Sequence, residues 1–181
     1  ALIQDFFTYP ISNKFDSVIG NPPFVKYKDI YPATKNLIEK DFLFNKRSNL
    51  YLHFIKKSIQ HLNPHGELIF INPKEFLNAE SSRLLNEWMY KQGTITDYID
   101  YGDEIIFQGF SPNCVVFRFE KDNFTRRTRI IKSFSNFNNI NNQFIFSNKN
   151  LTVSLSDILE VKVGAVSGSD KIFTSPEGNK T

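Results

Sequence analysis

Four consecutive residues, Asn21-Pro22-Pro23-Phe24, combine side-chain types that suit one chemistry. The Asn21 side chain offers a carbonyl acceptor, and the proline after it restricts its backbone to extended conformations. Pro22 also precedes a proline, so it is held extended and its backbone carbonyl becomes a second fixed acceptor. Phe24 supplies a flat apolar face on which a planar ring can stack. Gly20, without a side chain, lets a ligand approach the backbone closely. Two rigid acceptors beside an aromatic plate fit an amine carried on a heteroaromatic ring. Such an amine is a poor nucleophile, because its lone pair is delocalised into the ring. Accepting both of its hydrogens pulls the nitrogen towards tetrahedral geometry and frees the lone pair for attack on a methyl sulfonium. The plainer reading of the same residues is a proline-rich turn that ends a strand.

The surrounding pattern supplies a frame for this chemistry. Phe15, Val18 and Ile19 form a short apolar strand that the two prolines must terminate, since neither can donate to a ladder. Residues 49–62 place Leu52, Ile55, Ile59 and Leu62 at helical spacing, and Asn63-Pro64-His65-Gly66 stops that helix. A buried strand over Glu67–Asn72 follows, then a helix over residues 79–93 with Leu84, Leu85, Trp88 and Met89 inward and Gly93 at its C-terminal end. Two further strands cover residues 95–102 and 114–120, separated by a turn-rich stretch at 107–113. Strand, helix, strand, helix and two strands predict an open α/β sheet over residues 15–120, and ligands bind such sheets at the C-terminal edge of the strands. From Lys121 the chain becomes charged and then Asn-rich, which reads as a connecting stretch or an irregular hairpin.

With these residues in view, the chain resembles the S-adenosylmethionine-dependent amino-methyltransferases, whose motif is Asn/Asp/Ser-Pro-Pro followed by an aromatic residue. It is most similar to the Taq-type (γ-class) adenine-N6 DNA methyltransferases of restriction–modification systems. The likeness covers roughly residues 1–120 and runs more weakly to Phe173. LIQDFF resembles the segment whose Asp, here Asp5, binds the adenine amine of the cofactor. NLYLHFIKKSIQHLNPHGELIFINPKEFL resembles the Asn-Leu-Tyr helix, turn and strand of that family. DEIIFQGFSPNCVVFRFEK resembles the loop and strand whose phenylalanine stacks on the flipped target base, either Phe107 or Phe110. VKVGAVSGSDKIF resembles the opening of the DNA target-recognition domain.

The resemblance implies a Rossmann-like methyltransferase sheet represented by its C-terminal half. Residues 1–120 would be a partial catalytic domain, 121–150 a connecting segment and 151–181 the start of target recognition. It also implies S-adenosylmethionine as cofactor and double-stranded DNA as partner, with Asn21, Pro22, Pro23 and Phe24 catalytic, Asp5 and Gly20 near the cofactor, and an endonuclease fused or associated. The family's Gly-rich cofactor turn precedes the Asn-Pro-Pro strand, yet about twenty residues do so here, so the chain alone is expected to bind cofactor weakly and to be inactive. Cytosine N4, RNA guanine and protein glutamine stay open as acceptors for the same motif, as does a non-catalytic DNA-specificity role.

Other classes find less support. One cysteine, Cys114, excludes an intrachain disulfide or multi-cysteine zinc site and suggests a cytoplasmic setting. No apolar run approaches the roughly 18 residues of a membrane helix. A net charge of +3 is too mild to identify nucleic acid. The break at Asn63-Pro64 separates His61 from His65, which read as exposed turn histidines, and His53 reads as a packing residue. Arg126, Arg127, Arg129 and Lys132 suit either phosphates or solvent. Ser111 and Cys114 have no base partner for nucleophilic catalysis.

Overall fold

Seven strands join into one sheet in the order β1-β2-β4-β3-β5-β6-β7. They are β1 (Phe15–Gly20), β2 (Leu62–Pro73), β3 (Gly93–Asp100), β4 (Cys114–Lys121), β5 (Arg127–Ile130), β6 (Ser133–Ile140) and β7 (Gln143–Ser147). Among the described residues three α-helices accompany them: α1 (Pro32–Ile38), α2 (Leu50–Gln60) and α3 (Arg83–Gln92). The computed structural model describes residues 4–41, 44, 48–102, 113–130, 133–140 and 143–147, all within one unit spanning residues 1–151.

Strands β1 and β2 run parallel across helix α2, as a βαβ crossover requires. Strand β4 then lies antiparallel between β2 and β3. Residue alternation makes one face the core. Leu68 and Phe70 of β2, Val115, Phe117 and Phe119 of β4 and Ile95 and Tyr98 of β3 are buried together with Ile55 and Ile59 of α2 and Leu85 and Met89 of α3. Each such side chain contributes about 1.5–3 kcal/mol by leaving water. On the opposite face Ile19 is 79% exposed, and Arg118 bridges Glu67 and Asp97 across three strands.

Several details differ from what the sequence predicts. Strand β2 begins at Leu62 and absorbs Asn63-Pro64-His65-Gly66 as an irregularity, because Phe15 pairs with Leu62 while Ser17 already pairs with Glu67. His65 takes a left-handed φ of 61° there. Helix α3 buries Leu85 and Met89, but Leu84 is 39% exposed and Trp88 only partly buried. Gly93 caps α3 in an extended conformation rather than a left-handed one, as the first residue of β3; a Cβ there would sit 2.1 Å from the Glu120 carbonyl oxygen. Of the two readings of the Asn-rich stretch, a connection or an irregular hairpin, the structure has the hairpin, β6 and β7 pairing antiparallel, and β5 joins them to the sheet.

Candidate active site

The Asn-Pro-Pro-Phe segment leaves the C-terminal end of β1, the parallel edge at which the fold presents ligands. Gly20, the last residue of β1, pairs with Phe70, where the ladder with β2 ends. Val18 packs on the core, Ile19 is exposed, Asn21 is exposed and Pro22 is buried. Pro22 thus anchors the segment, while Asn21 is left exposed beside it. A Cβ at Gly20 would lie 3.2 Å from the Phe70 ring, so glycine there serves close packing against the core.

Beyond the prolines, the chain is tied to helix α2. The Leu50 N–H donates to the Val25 carbonyl at 2.9 Å, and half-buried Phe24 meets the Tyr51 ring edge-on with centroids 6.0 Å apart. Phe24, Tyr51, Asn49, Lys26, Pro73 and Glu75 line much of a cavity of about 290 Å³. A second cavity of about 390 Å³, sharing Glu75 and Ala79, is walled by Lys74 and Asn113 at the adjoining end of β2 and β4. Both polar and aromatic surfaces therefore converge where a planar polar ring can enter. Burial pushes the Tyr51 hydroxyl pKa up, with the nearby Glu75 charge adding to it, so Tyr51 stays a neutral donor. Lys74 pairs with Asp100, whose burial pushes its pKa up but whose hydrogen bonds to Lys74 and to the Gly102 N–H bring it below the ordinary value. Cys114 is buried and its thiol pKa is raised, which fits its lack of a nucleophilic role.

Asp5 lies elsewhere in the unit and is already engaged. One carboxylate oxygen accepts the Phe7 N–H at 2.8 Å and caps a short 3-10 turn, and the other accepts the Thr34 hydroxyl at 2.7 Å. Each oxygen retains a lone pair, so an exposed amine still fits. The described residues thus suit the adenine amine of S-adenosylmethionine, but they offer no evident hold for its ribose or methionine ends. Phe107 and Phe110 lie outside the described residues, as do Asp103, Ser111, Lys132 and residues 151–181. The arginine cluster is used structurally: Arg126 stacks on Tyr90 with its guanidinium carbon 3.6 Å from the ring centroid, and Arg129 pairs with Asp97. Tyr51, Asn49 and Glu75 received no individual role from sequence; Asn49 and Tyr51 do belong to the Asn-Leu-Tyr stretch.

The histidines correct the sequence reading in part. His65 is exposed, but His61 is buried, with Nδ1 2.7 Å from the Asn13 carbonyl oxygen and its ring among Phe6, Tyr9 and Phe15. Among the described residues no cluster of His, Cys, Asp and Glu is placed to hold a metal. His53 is buried against Phe44 and Phe7, and desolvation lowers its pKa to about 4. The folded protein therefore keeps His53 neutral where the unfolded chain would bind a proton. Stability from this group is present above pH ~6.5 and falls as the pH drops towards 4, with a slope approaching about 1.4 kcal/mol per unit. Urea midpoints measured between pH 7 and pH 4.5 should show this loss, and His53→Leu should flatten it.

With this geometry in place, comparison with known proteins is informative. The family model described as Eco57I restriction-modification methylase matches residues 3–107. The chain belongs to this family. It is 30% identical over 122 residues to the type II methyltransferase M.HincII of Haemophilus influenzae, covering 65% of this chain and 24% of that protein. It is also 30% identical over 146 residues to M.AccI of Acinetobacter calcoaceticus, covering 77% and 25%. RM.Eco57I of Escherichia coli, named a type II restriction enzyme and methyltransferase, matches at 25% identity over 84% of this chain and 16% of its own length. The chain thus spans about a quarter of the first two relatives.

Solved structures agree on the fold. A Listeria monocytogenes protein described as a class I S-adenosylmethionine-dependent methyltransferase superposes with a TM-score of 0.55 at 20% identity, over 72% of this chain and 38% of that one. The type IIG restriction endonuclease BpuSI superposes at 0.55 and 17% identity, over 70% and 16%. The sheet of this restriction-modification methylase segment is accordingly a methyltransferase sheet. No described helix is long and apolar enough to cross a membrane.

Proposed function

We propose that this segment carries the acceptor side of a site-specific DNA adenine-N6 methyltransferase. The observation that supports this most is the exposed Asn21 beside the buried Pro22 at the end of β1, three residues before Phe24, which lines the cavity. Double-stranded DNA is the partner, and the adenine must leave the duplex, at a cost of a few kcal/mol, because its amine is engaged in base pairing. Stacking on Phe24 and on Phe107 or Phe110 offsets this by about 1–3 kcal/mol per ring. The Asn21 side-chain oxygen and the Pro22 carbonyl accept the two amine hydrogens, which localises the nitrogen lone pair. S-adenosylmethionine supplies the electrophilic methyl, and the sulfur keeps the electron pair of the broken S–C bond. The amine's surplus proton then passes to water. Asp5 holds the adenine end of the cofactor, and Gly20 keeps the strand end tight on Phe70. Residues 1–120 act as the partial catalytic domain and 151–181 as the opening of target recognition, with 121–150 joining them while extending the sheet. The setting is cytoplasmic, and an endonuclease on the same chain or in a partner fits the naming of RM.Eco57I.

Labelled methyl from S-adenosylmethionine, offered with DNA to the full-length protein and followed by nucleoside digestion, tests the reading. Label in N6-methyladenine is expected, with the 181-residue chain silent beside it. Label in cytosine, RNA or protein would overturn the acceptor, and no label anywhere would favour a DNA-binding role without catalysis.

A further inference from the structure

Near the end of β2, the strand that pairs with β1, lies a side chain that the core does not account for. Asn72 is 0% exposed, and neither its Nδ2 nor its Oδ1 has a hydrogen-bond partner. It occupies the core face of β2 two residues after Phe70 and pairs with Val115 of β4, so its surroundings on that face are apolar. An orphaned buried amide lowers stability, and an isosteric leucine would fill the same place at no such cost. Among the described residues Asn72 has both side-chain polar atoms buried and unpaired, where His53 and His61 each have only Nε2 so, and such local conflicts are expected at functional positions.

The register relates Asn72 to the acceptor segment. Gly20 pairs with Phe70 as the last pair of β1 and β2, and Pro22 and Asn72 each follow two residues later, both buried. Asn21-Pro22-Pro23 presents three backbone carbonyls, but Pro22 and Pro23 have no N–H. A side chain can hydrogen-bond to the backbone of the two prolines only as a donor, and an asparagine amide carries two donor hydrogens. The following residue, Pro73, lines the same cavity as Phe24. The end of β2 therefore borders the cavity, beside the strand whose end carries the acceptor segment.

We propose that Asn72 is a positioning residue of the methyl-transfer site: when substrate enters, its amide donates to the Asn-Pro-Pro backbone and fixes the Pro22 carbonyl at the angle the target amine needs. This rests on the acceptor role given above to Asn21 and Pro22. Asn72 touches neither substrate nor cofactor and acts through that segment.

The test compares full-length wild type, Asn72→Leu and Asn72→Thr in thermal unfolding and in steady-state methyl transfer. Asn72→Leu is expected to raise Tm, because it removes two unpaired polar atoms, and to lower kcat roughly 10²-fold, the scale of a misplacement near 1 Å, with KM for S-adenosylmethionine unchanged. Asn72→Thr keeps a hydroxyl donor on a side chain suited to a strand and is expected to recover most of the rate. A merely structural asparagine gives the opposite pattern, so a lower Tm in Asn72→Leu, or an unchanged kcat, overturns the proposal. If wild type labels cytosine N4 or another amine instead, the adenine reading fails while the kcat ratio on that acceptor still decides the role of Asn72. A wild type that labels nothing overturns both.

Discussion

Replacing Asn21 by alanine is expected to abolish methyl transfer in the intact enzyme while leaving its fold in place. The two halves of this result come from different features. Asn21 follows the last residue of β1, is exposed, and is flanked by a buried Pro22 that anchors the strand end without it. Surface substitutions of this kind usually change stability by no more than about 0.5 kcal/mol. In the proposed mechanism transfer instead depends on the carboxamide oxygen, one of two acceptors offered to the target amine. Losing a preorganised partner of developing charge costs about 10²–10³ in kcat, and here the Pro22 carbonyl alone cannot hold both hydrogens. Asn21→Asp retains an oxygen in the same place and should keep measurable activity. The decisive readings are kcat by labelled methyl transfer and Tm of the same preparations. An alanine variant within tenfold of wild type would remove Asn21 from the mechanism.

The end of β1 at Asn-Pro-Pro-Phe was readable in the sequence because its determinants are local. Two prolines end a strand wherever they occur, and the apolar run before them needs no distant partner to be recognised. Helix α2 was legible for the same reason, through the period of Leu52, Ile55 and Ile59. Strand β5 and the joining of the later hairpin to the sheet were not, since tertiary partners decide them. Thr128 is buried with its hydroxyl donating to the Ile95 carbonyl at 2.6 Å, and Arg129 is held by Asp97 on the neighbouring strand. Neither partner can be inferred from a charged run that looks solvated. The cavity is equally invisible to a linear reading. Its walls come from Phe24, from Asn49 and Tyr51 at the start of α2, and from Pro73 to Ser81 after β2, joined only by the βαβ crossover. His61 was misread because Asn63-Pro64 suggests an exposed turn, whereas the strand continues through it and aromatic side chains close over the ring. Gly93 looked like a helix stop, and it is one. Its stronger constraint is the Glu120 carbonyl on a strand that begins twenty-one residues later, at Cys114.

Phe76→Ala is expected to be the most destabilising single change near the site, by about 3–5 kcal/mol. Phe76 is 0% exposed and stacks on Phe117 of β4, with centroids 4.9 Å apart and planes 26° from parallel. It lies in the 3-10 turn Lys74–Leu77, which leaves β2 between the residues that wall both cavities. Asn86 of α3 donates to the Phe76 and Leu77 carbonyls at 2.7 and 3.0 Å, so the turn is tied to the helix as well as to the sheet. Removing the ring leaves a void under a turn that cannot collapse freely, which places the cost towards the upper part of the range. Domains are commonly stable by about 5–15 kcal/mol, so this loss would leave much of a weakly stable protein unfolded. Phe76→Leu fills most of the space and should cost less than about 1.5 kcal/mol if the neighbours repack. Denaturant midpoints of the two variants measure both costs. Where Phe76→Leu stays folded, a change in transfer rate without loss of Tm would show that the aromatic stack sets the shape of the cavity wall. An alanine variant costing under 1 kcal/mol would mean that the turn is held by Asn86 alone and that Phe117 does not need its partner.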